Sequence, residues 1–148
     1  MLIGTYKVSA DLKKRLCIPH KFREELGEKC VLSKDLADNC FNLYSIGQFV
    51  AFSEKIEEMP KMKMRGMRQL VYSNSYETDI DSQGRIVLSQ QLCEDLGITE
   101  ESGREFIVAG VFTHIQIWNP AEFEKFSKKL NSEENKKSLI NDLMEIGF

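Results

Sequence analysis

Apolar and polar positions alternate in four short stretches of the chain. Tyr6, Val8 and Ala10 share one face, as do Leu16 and Ile18; Tyr76, Thr78 and Ile80 repeat the first pattern, and Ile86 and Leu88 the second. A period of two marks half-buried strands. Just beyond each second stretch the period lengthens: Phe22 and Leu26, then Leu92 and Leu96, stand four residues apart and are followed by Gly27 and Gly97. That spacing predicts two short helices, one with Pro19 in its first turn and one capped by Ser89, each stopped by its glycine. Further strands are predicted at 30–32, 41–44, 106–108 and 115–118. Amphipathic helices follow at 48–59, with Phe49, Phe52 and Ile56 inward, and at 120–130, with Phe123 and Phe126 inward.

The pattern is written twice. Tyr6, Asp11, Arg15, Leu26 and Gly27 return as Tyr76, Asp81, Arg85, Leu96 and Gly97, always seventy positions later, and from the second strand pair onward the offset is seventy-four. A fixed offset of this kind is the signature of a structural repeat. Each unit reads as a strand, a tight Asp-x-x-x-Arg corner, a second strand and a short helix, giving an α+β fold of two hairpin-like β units with short flanking helices. The division that follows is 1–60 for the first unit, 61–75 for a connecting helix with Met67, Leu70 and Val71 inward, 76–130 for the second unit and 131–148 for a helical tail. Leu139, Ile140, Leu143, Met144 and Ile146 give that tail an apolar stripe, to be docked on its own body or on a neighbour.

With 148 residues, 42% of them hydrophobic, the chain can bury one substantial core or two small ones that lean on each other. No stretch approaches the roughly 20 apolar residues that cross a bilayer, and the N-terminus lacks a signal-peptide layout, so a cytoplasmic protein without a membrane partner is expected. Cys17, Cys30, Cys40 and Cys93 show no Cys-x-x-Cys spacing and sit among apolar residues, which predicts reduced core thiols. His20 and His114 are too separated to suggest a metal site. The net charge is −3, but the charge is segregated. Residues 1–34 carry eight Lys/Arg against four acids, 61–68 carry four cations and no acid, and 77–105 carry eight acids against two arginines.

The corners are the chemically distinctive element. An aspartate opening a tight turn accepts hydrogen bonds from amides two or more residues on, so Asp11 and Asp81 are expected to freeze their loops. Gly84 tolerates the positive φ such a turn asks for, whereas Lys14 in the first copy must adopt it at a cost or avoid it. Arg15 and Arg85 would then stand at fixed places, with Lys13 and Lys14 adding charge in the first copy and only the neutral Ser82 and Gln83 beside the arginine in the second. The bland reading is that each arginine only pins its own aspartate. A catalytic pairing of Asp11 with Asp81 fits poorly, because the cations beside them would keep both carboxylates ionised. No phosphate loop, nucleophile elbow or His-Glu metal motif occurs elsewhere. The sequence therefore predicts no enzyme, no cofactor, no metal and no small-molecule substrate.

The stretch from Tyr6 to Gly27 resembles the first signature of the MraZ family, and Asp81-Ser-Gln-Gly-Arg85-Ile-Val-Leu resembles the second. Ile117-Trp118 ahead of the 120–130 helix is similar to that family's closing motif. The resemblance covers roughly residues 1–130. It implies an AbrB-like swapped-hairpin fold duplicated in one chain, subunits joined in a homo-oligomeric ring, and a nucleoid-associated transcriptional regulator of division and cell-wall genes. It also implies that Arg15 and Arg85 contact double-stranded DNA. The chain departs from the family pattern in having Lys14 where glycine is usual. On this reading Lys13, Lys14 and Lys21 meet phosphates, and Arg15, Arg85 and Gln83 reach base edges. Asp11, Asp81 and Gly84 shape the loops, and the acidic run 94–105 lies away from DNA or against the next subunit. The alternative is a ring-forming scaffold that docks an acidic or RNA-modifying partner.

Overall fold

A computed structural model describes residues 1–101 and 103–147; Ser102 and Phe148, the last residue of the predicted tail, lie outside the described residues. The first repeat contains β1 (Leu2–Ser9), β2 (Arg15–Cys17), α1 (His20–Leu26), β3 (Lys29–Lys34), β4 (Phe41–Ser45), α2 (Ile46–Glu57) and α3 (Lys61–Tyr72). The second contains β5 (Ser75–Asp79), β6 (Arg85–Val87), α4 (Gln90–Asp95), β7 (Glu105–Phe112), β8 (Ile115–Trp118), α5 (Pro120–Leu130) and α6 (Glu133–Glu145). The fold is α+β with antiparallel pairing throughout. One six-stranded sheet runs in the order β1-β7-β8-β4-β3-β5, and a separate ribbon joins β2 to β6.

That order shows where the two hairpin-like units find their strand partners. β1 of the first repeat lies against β7 of the second along its whole length, Tyr6 opposite Val108. β5 of the second lies against β3 of the first, Tyr76 opposite Leu32. Each repeat thus gives its opening strand to the other. Across the first corner Ala10 bridges Leu16. The physical reason is length: β2 and β6 have three residues each, too few to satisfy the backbone groups of an eight-residue strand such as β1. The longer partner comes from the other repeat.

The halves of the sheet meet where β4 pairs with β8, Leu43 opposite Ile115. A pseudo-twofold relation there makes α3 and α6 counterparts, each following the helix that closes a strand pair. Within that relation Tyr44 matches Trp118, while Val31, opposite Tyr44, matches Ile107, opposite Trp118. The extra residues of the second repeat therefore precede β7, and its β7–β8 turn is shorter than the 35–40 loop. In that loop the Asp35 carboxylate accepts from the amides of Ala37 (3.0 Å) and Asp38 (2.8 Å).

A single core spans both repeats. Leu16, Ile18, Phe22, Leu26, Leu32 and Leu43 of one and Ile86, Leu88, Leu92, Leu96, Phe106 and Ile115 of the other are fully buried in one cluster. Ser89 caps α4 by accepting from the Leu92 amide at 3.0 Å. Two inward assignments change. In α3 the inward row is Met64, Met67 and Val71, at i, i+3 and i+7, which turns Leu70 to solvent. Cys30, Cys40 and Cys93 are buried free thiols, but Cys17 is exposed, because β2 alternates and Leu16 takes its inward face. Burial raises the Cys30 thiol to about 11, with the Asp79 charge adding to it, so this sulfur stays protonated at neutral pH. Among the described residues, no helix is long and apolar enough to cross a membrane.

Candidate nucleic-acid interface

The two corners share one construction. In the first, Asp11 N–H donates to the Arg15 carbonyl (3.0 Å) and Lys14 N–H to the Asp11 carbonyl (3.0 Å). Oδ1 of Asp11 accepts from the amides of Lys13 and Arg15, both at 2.9 Å, and Oδ2 accepts from Arg15 Nε at 2.6 Å. In the second, Asp81 N–H reaches the Arg85 carbonyl and Gly84 N–H the Asp81 carbonyl, both at 2.9 Å. Asp81 accepts from the amides of Gln83 and Arg85 at 2.9 Å and from Arg85 Nε at 3.0 Å.

The Arg15 amide above all holds the Asp11 carboxyl below its ordinary value, opposed by desolvation and helped by the Arg15 side chain and the Lys13 amide. The Arg85 amide does the same for Asp81. Both carboxylates are therefore ionised at any pH near neutral. Lys14 takes the positive φ of 61° that the turn demands, and Gly84 takes 79°. The lysine accepts the left-handed conformation, at a cost of about 1 kcal/mol.

The ribbon of β2 and β6 decides where the arginines point. Its register sets Arg15 opposite Val87, Leu16 opposite Ile86 and Cys17 opposite Arg85. Leu16 and Ile86 are fully buried. By alternation the other four residues share the opposite, outward face. Arg15 and Arg85 are diagonal neighbours on that face, their Cα atoms roughly 7–8 Å apart. Their side chains are 32% and 25% exposed, so neither is sealed in. Each engages its aspartate through Nε, so the salt-bridge reading holds, and the contact does not use the terminal nitrogens of either fork. The ladder continues where Ile18 N–H donates to the Gly84 carbonyl and Leu88 N–H to the Lys14 carbonyl, both at 2.8 Å. Each corner is thereby braced by the other repeat.

The remaining predicted residues fall in different places. Lys13 and Gln83 are exposed at the corner tips, beside Leu12, which is 84% exposed. Lys14 Nζ donates to Gln90 Oε1 on α4, so it lies along the other repeat's helix. Lys21 stands apart: its ammonium lies over the Tyr6 ring at 5.3 Å and the Phe22 ring at 5.9 Å, on the β1 side of α1. The acidic run is not wholly remote, since Glu94 and Glu100 line one cleft with Leu12 and Lys14. Strand exchange is the reason, because it packs the second repeat's helix against the first repeat's corner.

Sequence reasoning missed Arg23. Its Nε donates to the Ile18 carbonyl at 2.8 Å and its Nη2 to Cys17 Sγ at 3.2 Å, and its guanidinium covers Gly84 of the other repeat. No one-dimensional signal joins positions 23 and 84. Among the described residues, no cluster of His, Cys, Asp and Glu suits a metal ion.

Fold and site together define a class: a duplicated, strand-exchanged α+β protein that displays two aspartate-locked arginine corners on one face. The family model described as "MraZ protein, putative antitoxin-like" matches residues 1–70 and again 71–143. A protein named transcriptional regulator MraZ from Alkaliphilus oremlandii is 36% identical over the full length of both chains. One of the same name from Caldanaerobacter subterraneus is 38% identical over 86% of this chain and 87% of its own. A third, from Caldicellulosiruptor bescii, is 39% identical over 80% of this chain and 81% of its own. The chain belongs to the MraZ family.

Proposed function

We propose that the protein is a transcriptional regulator that binds double-stranded DNA sequence-specifically through its two corners, at the promoter of the division and cell-wall gene cluster. The observation that carries this reading is the shared outward face of Arg15 and Arg85 on the β2–β6 ribbon. A two-stranded β ribbon is narrow enough to enter the major groove, and an arginine fork there pairs with the O6 and N7 of guanine. The carboxylate locks fix both forks before DNA arrives, which reduces the ordering cost of binding. Lys13 and Lys14 supply phosphate contacts and Gln83 reaches a base edge beside Arg85, whereas Lys21, seated over Tyr6 and Phe22, lies apart from this patch. The strand exchange supports an AbrB-like swapped-hairpin description of each repeat.

Each subunit offers one short ribbon, and a net charge of −3 weakens the general attraction to DNA. A homo-oligomeric ring in the cytoplasm overcomes this by setting corner pairs against tandem promoter repeats, so that modest contacts sum through effective concentration. The exposed apolar residues of α6, Leu139, Ile140, Leu143 and Met144, support an assembly surface. The test is binding to a duplex from upstream of the protein's own gene against a shuffled duplex. Arg15→Ala and Arg85→Ala should each cost about 1–3 kcal/mol and narrow the difference between the duplexes. Variants that bind and discriminate like the parent would refute the reading.

A further inference from the structure

The two motif arginines are each matched by their own aspartate, at 2.6 Å and 3.0 Å. The surplus positive charge of the outward face therefore comes from other residues. On the first corner these are Lys13 and Lys14. The second corner has Ser82, Gln83 and Gly84 at the same places and no cation of its own to spare.

Arg23 fills that gap from the other repeat. Its Nη2 sits 3.2 Å from Cys17 Sγ, and Cys17 is the outward residue directly opposite Arg85. Arg23 thus reaches Cys17, which shares the outward face of the ribbon with Arg15 and Arg85. Glu28 and Asp79 line the cleft that Arg23 shares with the second corner. Among the described residues, however, no carboxylate comes within ion-pairing range of Arg23.

The arrangement is one-sided. Arg23 and Cys93 hold the same position in α1 and α4, each next to the buried aromatic or leucine that anchors its helix. Cys93 and Lys14 line one cleft, and the Arg23 guanidinium covers Gly84. A large side chain meets a small one on both sides, so each corner receives one braced cation, from Lys14 in the first case and from Arg23 in the second.

We infer that Arg23 is a third DNA-contacting residue, one that grips a backbone phosphate beside the base read by Arg85. A phosphate is the suitable target because Nε and Nη2 are held by Ile18 and Cys17, which leaves too little of the fork for a two-pronged grip on a base. This rests on the DNA-binding reading above.

The test uses the full chain, the upstream duplex and a shuffled duplex of equal length over a salt series. Arg23→Gln should lower the slope of log affinity against log salt by about one unit on both duplexes, with their affinity ratio unchanged. Arg23→Lys restores the point charge without the fork, so its slope should return to the parent value. Thermal melting shows whether each variant is folded, and if the glutamine form is not, the lysine form decides alone. A parent slope in Arg23→Gln, or a slope about one unit low in Arg23→Lys, overturns the assignment and leaves Arg23 a structural brace. A parent protein that binds neither duplex overturns the DNA-binding reading, and this assignment with it.

Discussion

Gly84 and Lys14 occupy equivalent residues of the two corners at φ 79° and 61°, and the difference between them yields opposite predictions. A side chain at Gly84 meets both a left-handed backbone and the Arg23 guanidinium. Gly84→Ala should therefore lose about 1–2 kcal/mol from the backbone alone, with more from displacing Arg23, measured by chemical denaturation. Lys14→Gly relieves about 1 kcal/mol of the same strain but loosens the unfolded chain by about 0.5–1 kcal/mol. Its stability should stay within about 1 kcal/mol of the parent even as it loses one unit of salt slope. The lock residues set the acid limit. Asp11 and Asp81 titrate below the ordinary 3.8 when folded, so what they contribute to stability is fully present above that value and is lost as pH falls through the folded pKa. NMR titration of the two carboxyls should show no change between pH 5 and 8. A midpoint above 4 for either would contradict the hydrogen-bonded lock.

At the scale of elements, the three-residue strands β2 and β6 carry the site, and their inner pair holds them to the core. Leu16→Ala should cost about 2–5 kcal/mol in denaturant midpoint experiments, because it opens a cavity under the ribbon. Val87→Ser, on the outer face, should change stability by less than about 0.5 kcal/mol. These elements were largely legible in the sequence. Alternation placed Leu16 and Ile86 inward, and the glycine stops and the Ser89 cap placed α1 and α4. The exposure of Cys17 followed from the same alternation, but its apolar neighbours suggested a core thiol. Leu70 was misplaced because 67, 70 and 71 also fit a helical stripe; the stripe that Met64 begins wins, since it keeps Val71 at its centre. Periodicity says which face a strand buries, not which strand lies beside it, so the pairings of β1 and β5 could not be read from it. Arg23 was invisible for the same reason, since its place over Gly84 exists only once the repeats have exchanged strands.

For the whole molecule the exchange has a direct consequence. Residues 1–74 contain β1 and β3 but neither β7 nor β5, their partners, so this half expressed alone should be unfolded or should pair with a second copy of itself. Light scattering with circular dichroism decides, and a folded monomer would contradict the shared core. The intact chain should unfold in one cooperative step, since its buried residues form a single cluster. The central claim is that the outer face of the β2–β6 ribbon meets DNA, and site-specific photocrosslinking tests it most directly. Val87 lies on that face beside Arg15 and is 58% exposed, whereas Met62 is 91% exposed on α3, a helix packed on α2, β3 and β5. A photoreactive group at 87 should crosslink to the upstream duplex while the same group at 62 does not. Crosslinking from 62 with none from 87 would show that DNA is held elsewhere on the molecule.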